Sequence, residues 1–360
     1  MDNRTSLYCS ALRAGLWGTP FDRHLDKDEF QNLWKDADRQ TTKGLIASSL
    51  VQSEAVPPQV IDKLQDWLLK IAGQNLKMDN VLSQSLRALK DNGIEPVLLK
   101  GQGAASYYRE PMLRESGDID LYVGQDLYKK SFEILSALSG TSEVFDFEEH
   151  SKHSHVEIDG ITVEIHRFSE VLPRKYDPFY QKVATEGLSS KLKTVIVEDV
   201  PVQTPEPVFN AFFLFNHLWR HLVTEGVGFR QVCDWTMFLH ANAGSIDIEK
   251  LYSILNPLDL VRPWQVIGRV AIDVLGLPAS EMPLDNPNYS RYVEKVVGMM
   301  MKEGNFGHER EDWLTVPRES FFDKVHVFFM IAHRYFKLLP IFGKVVLNEY
   351  LDRMRRKFFS

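Results

Sequence analysis

The chain has 360 residues, with 42 lysines and arginines against 49 aspartates and glutamates, for a formal net charge of -7. That balance gives no support for sequence-independent binding to nucleic acid, and the 44% apolar fraction is that of a globular protein with a sizeable core. Two cysteines, Cys9 and Cys233, lie far apart, make no metal-ligand pair and point to a reducing cytoplasm without a disulfide.

The N-terminal MDNRTSLYCSALRAGLWG shows no charged leader followed by an apolar stretch and cleavage site. Residues 26–92 read as helical. Asp26 is expected to cap a helix from Asp28 to Val51. Pro57-Pro58 then opens a longer helix with Val60, Leu64, Trp67, Leu68 and Ile71 on one face, and Asn92-Gly93 stops it. Residues 96–99 form a short buried strand, and 101–108 a helix entered directly from it. A second strand covers 119–123, and Asp126 caps a helix through Leu138. Alternating runs at 154–158 and 161–168 flank Asp159-Gly160, a hairpin signal, and a strand at 194–197 closes the sheet. From Pro207 onward the pattern is helical, at 207–223, 228–242, 247–256, 261–276, 288–302, 318–337 and 343–358. The most apolar stretch, 208–223, carries His217, Arg220 and His221 and reads as a buried helix. No apolar run reaches the roughly 20 residues that span a bilayer, so a soluble, cytoplasmic protein with no membrane partner is expected. The fold class is α+β, a small mixed sheet between helical flanks, with divisions at 1–92, 93–204 and 205–360.

Chemistry concentrates in Gly117-Asp118-Ile119-Asp120. Successive strand side chains point to opposite faces, so Asp118 and Asp120 share one face while Ile119, Leu121 and Val123 share the other. Two adjacent carboxylates repel, and a divalent cation bound through oxygen is the usual compensation. In the second hairpin strand Ile161, Val163 and Ile165 share one face, and Thr162, Glu164 and His166 the other. Glu164 can therefore join Asp118 and Asp120, and three carboxylates from two strands suit two-metal phosphoryl or nucleotidyl transfer. Lys100 and Arg114 flank this position as candidate phosphate contacts; the alternative is simple charge balance for the acids.

Leu99-Lys100-Gly101, Tyr108-Arg109-Glu110-Pro111-Met112-Leu113-Arg114, Gly117-Asp118-Ile119-Asp120-Leu121, Glu164-Ile165-His166 and Gly228-Phe229-Arg230-Gln231-Val232-Cys233-Asp234-Trp235 together resemble the nucleotidyltransferase superfamily that shares the catalytic module of DNA polymerase β. Within it they resemble a bacterial branch of uncharacterised nucleotidyltransferases, over roughly residues 95–240. The resemblance implies that 93–204 is the catalytic module, that Asp118, Asp120 and Glu164 are catalytic and hold magnesium, or manganese in its place, and that Gly101 opens a phosphate-facing turn. It implies a nucleotide-facing set of Lys100, Gly101, Gln102, Arg114, Gly117, Arg230 and Asp234. The substrate is then an NTP, and the acceptor a small molecule, a protein or an RNA end. This chain departs from the superfamily in having Gly101-Gln102 where Gly-Ser or Gly-Gly is usual, and Glu in place of the commoner third Asp. The alternatives are a kinase-like phosphotransferase on the same metals and an inactive nucleotide-binding regulatory module.

Other residues carry weaker signals. His217 and His221 stand four apart, a zinc-ligand spacing, but no third ligand or general-base Glu accompanies them, and helix-contact histidines are the favoured reading. Arg230 and Asp234, also four apart, are placed to pair with each other. Gly226 and Gly228 match no phosphate loop. The basic run 353–359 reads as a solvated helix end whose cations suit the dipole.

Overall fold

The computed structural model describes residues 1–139, 151–197, 200–305 and 321–358. Helices α1 (Asn3–Trp17), α2 (Lys27–Arg39) and α3 (Lys43–Val51) come first. The Asp26 carboxylate accepts the Glu29 N–H at 2.8 Å and Glu29 reaches back to Asp26, a reciprocal cap that starts α2 as the sequence predicts. The single helix expected up to residue 51 is instead two, because Thr41 adopts φ 56. That left-handed residue reverses the chain and lets α3 pack on α1. The approach is close: a Cβ on Gly15 would lie 2.0 Å from the Leu45 carbonyl oxygen.

Helix α4 (Pro58–Asp91) opens at Pro57-Pro58 and stops at Asn92, with Gly93 at φ 75, both as expected. Its 34 residues extend for about 50 Å and serve two cores. Leu64 belongs to the first and packs with α1–α3. Met78, Val81, Leu82, Leu86 and Leu89 belong to the second, beneath the sheet.

The sheet contains β1 (Val97–Leu98), β2 (Asp118–Tyr122), β3 (His153–Ile158), β4 (Ile161–His166), β5 (Lys193–Val197) and β6 (Val200–Thr204), in the order β3-β4-β2-β1-β6-β5. Strand β2 runs antiparallel to β1 and parallel to β4, and β1 runs parallel to β6. The β3–β4 hairpin turns at Asp159 and Gly160, with φ 51 and 69, the positive pair that matches strand twist. Ile119, Leu121, Val163 and Ile165 bury one face against α4 and α6 (Gly124–Leu138) through Phe132 and Leu135. Each such aliphatic side chain contributes about 1.5–3 kcal/mol. Asp126 lies in the first turn of α6 rather than at its cap, and the helix expected over 101–108 shrinks to one turn, α5 (Gln102–Ala105).

Beyond the sheet's polar face stand α8 (Pro207–Thr224) and α9 (Phe229–Ala241), preceded by α7 (Asp177–Gly187). Then follow α10 (Ile248–Leu255), α11 (Val261–Asp273), a 3₁₀ stretch at Pro287–Tyr292, α12 (Val293–Glu303) and two last helices, Phe321–Phe342 and Val345–Phe358. The 288–302 helix therefore begins as 3₁₀. Residues 318–320 of the expected 318–337 helix and Phe359 lie outside the described residues. One apolar cluster runs from Leu12 and Ile46 through Val97 and Leu99 to Trp219, Trp235, Trp264 and Phe342. The buried Gln40 ties its ends, accepting the Phe229 N–H at 3.0 Å and donating to the Met300 carbonyl at 2.9 Å. Among the described residues no helix is long and apolar enough to cross a membrane.

Candidate active site

The alternation that buries Ile119 and Leu121 turns Asp118 and Asp120 to the opposite face. Parallel pairing sets Asp120 beside Glu164 and Asp118 beside Thr162. Carboxylate oxygens of Asp118, Asp120 and Glu164 lie within 4.8 Å of one another. They open into a cavity of about 280 Å³, also lined by Lys100, Gly101, Arg114, Arg230 and Asp234.

Asp120 is fully buried and Asp118 and Glu164 are partly exposed. Asp120 Oδ1 accepts from Lys100 Nζ at 2.9 Å and lies 2.8 Å from His166 Nε2, which is also 3.1 Å from Glu164 Oε2. A proton on that nitrogen is thus shared by two acceptors. Burial opposes the Asp120 charge, yet Lys100 and His166 outweigh it and hold the carboxyl well below its usual range. Burial likewise opposes charge on Lys100, and Asp120, Asp118 and Glu164 hold its pKa above an ordinary lysine. Asp118 moves the other way: the neighbouring Asp120 charge, then burial, raise it. Burial opposes the Glu164 charge, but the hydrogen bond and charge of His166 together with the Lys100 charge hold the carboxyl low.

These acids fit a hard cation. Asp120 Oδ2 is buried with no hydrogen-bond partner among the described residues, and the like-charge repulsion on Asp118 is only partly offset by Lys100 and Arg230. An all-oxygen donor set suits magnesium or manganese. A second group, His153, Glu164 and His166, also gathers within 4.8 Å.

Gly101 has φ 56, and a Cβ there would approach the Asp118 carbonyl oxygen at 3.0 Å, so this turn requires glycine. Arg114 is committed elsewhere. Its Nε and Nη2 donate to Asp234 Oδ1 and Oδ2 at 2.7 and 2.8 Å, its Nη1 donates to Ser116 Oγ, and the Tyr108 hydroxyl donates to Asp234 Oδ1 at 2.7 Å. The expected Arg230–Asp234 pair is therefore replaced by an Arg114–Asp234 clamp between the loop before β2 and α9. Arg230 Nη1 donates to the Glu115 carbonyl at 2.8 Å, and its buried Nε has no partner among the described residues. Burial and the Arg114 charge hold the Arg230 pKa below that of an ordinary guanidinium.

Of the predicted residues, Asp118, Asp120, Glu164, Lys100, Gly101, Arg114, Arg230 and Asp234 meet in this one cavity. Gln102 is buried with its amide donating to Asn75 Oδ1 at 3.4 Å, and neither it nor Gly117 lines the cavity. His217 and His221 do line it, their rings 4.5 Å apart and nearly perpendicular, and among the described residues no third ligand gathers around them. The sequence reading left His153 and Lys152 unassigned, and it gave His166 no role although alternation placed it on Glu164's face.

A family model described as Uncharacterised nucleotidyltransferase matches residues 26–276, spanning α2 to α11 and every residue of this site. No curated protein and no solved structure matches the chain.

Proposed function

The chain belongs to the uncharacterised nucleotidyltransferase family, and from that premise we propose that it moves a nucleoside monophosphate group from an NTP to an acceptor hydroxyl, releasing pyrophosphate. The observation that carries this reading is the trio Asp118, Asp120 and Glu164, gathered within 4.8 Å around a buried carboxylate oxygen that has no partner among the described residues. These three would hold magnesium, or manganese in its place, and the ions when bound would neutralise triphosphate charge and acidify the acceptor hydroxyl.

The chain's own groups divide the rest. Lys100 keeps Asp120 ionised and adds positive charge beside the Gly101 turn, whose backbone N–H groups would take the phosphates. Arg230, with its unpartnered Nε, is the guanidinium left to grip phosphate oxygens, because Arg114 is spent on Asp234. Asp234 and Arg114 act by holding α9 against the loop that leads into β2. As the acceptor oxygen bonds to the α-phosphorus, the bond to the β-phosphate oxygen breaks and Glu164 Oε1 takes the acceptor's proton. His166 fixes Glu164 by its other oxygen.

Labelled nucleotide tests the reading. With magnesium, an α-labelled NTP and cell extract, the label is expected on the acceptor, with γ-label recovered in pyrophosphate. Transfer of the γ-label to the acceptor would instead make the activity kinase-like. Nucleotide binding without turnover, unchanged in Asp118→Asn, would indicate a regulatory module.

A further inference from the structure

A second cavity, of about 440 Å³, lies on the far side of His217. It shares Lys152, His217 and His221 with the cavity of the carboxylate trio, so one row of side chains forms the wall between the two. Its outer wall comes from elements the catalytic sheet does not contain: Arg220 and Thr224 of α8, Tyr335 and Glu349 of the last two helices, and Glu170 after β4.

We propose that this second cavity is the acceptor site and that it takes a polyhydroxylated small molecule, a sugar or cyclitol, whose nucleophilic hydroxyl passes His217 to reach the trio. The proposal rests on the nucleotidyl-transfer reading above and names its second substrate. The geometry supports it in three ways. The cavity shares the wall residues Lys152, His217 and His221 with the nucleotide side, the placement a second substrate needs. Its volume is that of a small-molecule pocket, and it lies between α8 and the last two helices.

Its chemistry is the third support. Carboxylates outnumber the lysine and arginine cations in the wall, which disfavours an RNA end carrying phosphates. Several of those charges are fixed in pairs: Arg220 with Glu349, and Lys152 with Glu170 at 3.6 Å. Paired carboxylates keep lone pairs for hydroxyl donors, and paired cations keep N–H groups for hydroxyl oxygens, so a neutral polyol finds both. His217 completes the path. Among the described residues its ring contacts His221 edge-on and makes no hydrogen bond, and burial, then Lys100 and His221, keep it neutral. A neutral imidazole is free to accept from an acceptor hydroxyl on its way to the α-phosphorus. There the acceptor O–P bond forms, pyrophosphate leaves with the bridging oxygen, and the hydroxyl proton passes to Glu164.

The test uses the full chain with magnesium, each α-labelled NTP in turn, and a panel of free sugars, aminosugars and cyclitols. Label is expected on at least one compound. Glu170→Gln and Arg353→Gln, both at residues that line the cavity, are expected to raise the KM for that compound about tenfold each, the size of one lost charge-assisted hydrogen bond. Their KM for the NTP should stay at the wild-type value, which also shows that both variants fold. The proposal is overturned if label goes only to protein or RNA, if no panel compound accepts label although the NTP binds in an Asp118-dependent way, or if neither variant changes the acceptor KM. Absence of Asp118-dependent NTP binding would remove the nucleotidyl-transfer reading itself, and this proposal with it.

Discussion

Two charged clusters that border one cavity are built on opposite principles. In the Arg114–Asp234–Tyr108 clamp, a bidentate guanidinium and a phenol satisfy a buried carboxylate. In the Asp118–Asp120–Glu164 trio, one buried oxygen has no partner among the described residues and one carboxyl is raised by its neighbour's charge. A complete network holds two parts of a protein together. On the proposed function, the incomplete one is held open for an ion the chain does not supply, and the difference would separate residues that support the site from residues that act in it.

Substitutions should break the two clusters differently. Asp118→Asn is expected to lower label transfer on the order of 10³-fold, the scale of losing one preorganised electrostatic contact, with no loss of stability in the metal-free protein. Loss of the clamp should do the reverse. Asp234→Ala leaves the Arg114 charge buried and unpaired, and about 3–5 kcal/mol of stability should go, read from urea denaturation. Equal stability losses from both substitutions would dissolve the distinction.

Two smaller effects sharpen it. Magnesium at a hundred times its dissociation constant should stabilise the wild-type chain by about 2.7 kcal/mol in a denaturant titration, and Asp118→Asn should lose most of that gain. In the metal-free protein the order inverts. Asp118 is raised by Asp120, so the folded chain binds its proton more tightly than the unfolded chain does. Its charge then costs stability once pH passes the raised value, and costs nothing below the unfolded carboxylate value of about 3.9. With chelator present, Asp118→Asn should unfold at higher temperature than wild type at neutral pH, an advantage that disappears near pH 3.

What could be read from the sequence was local. Period-two alternation put Glu164 and His166 on one face, and Asp159-Gly160 fixed the hairpin, because both depend only on neighbouring residues. The trio followed from that alternation and from the resemblance of the surrounding motifs. Nonlocal features stayed hidden. Strand β6 contains Pro201, which argues against a strand, and its place is secured by parallel pairing with β1 across the chain. Thr41 carries no signal for a left-handed turn, so one helix was expected where two exist. Asp234 has Arg230 at helical spacing, yet its partner Arg114 lies 120 residues away. No rule of spacing finds a pair like that.

Gln40 gives the N-terminal helices a hold on the wall of the cavity that their distance from the carboxylates conceals. Its one amide completes the first turn of the helix that presents Arg230 and Asp234. A shortened protein beginning at Pro58 would retain every acid of the trio, yet the start of that helix would be frayed and its guanidinium adrift. Trimming the front of this chain should therefore weaken its hold on the nucleotide.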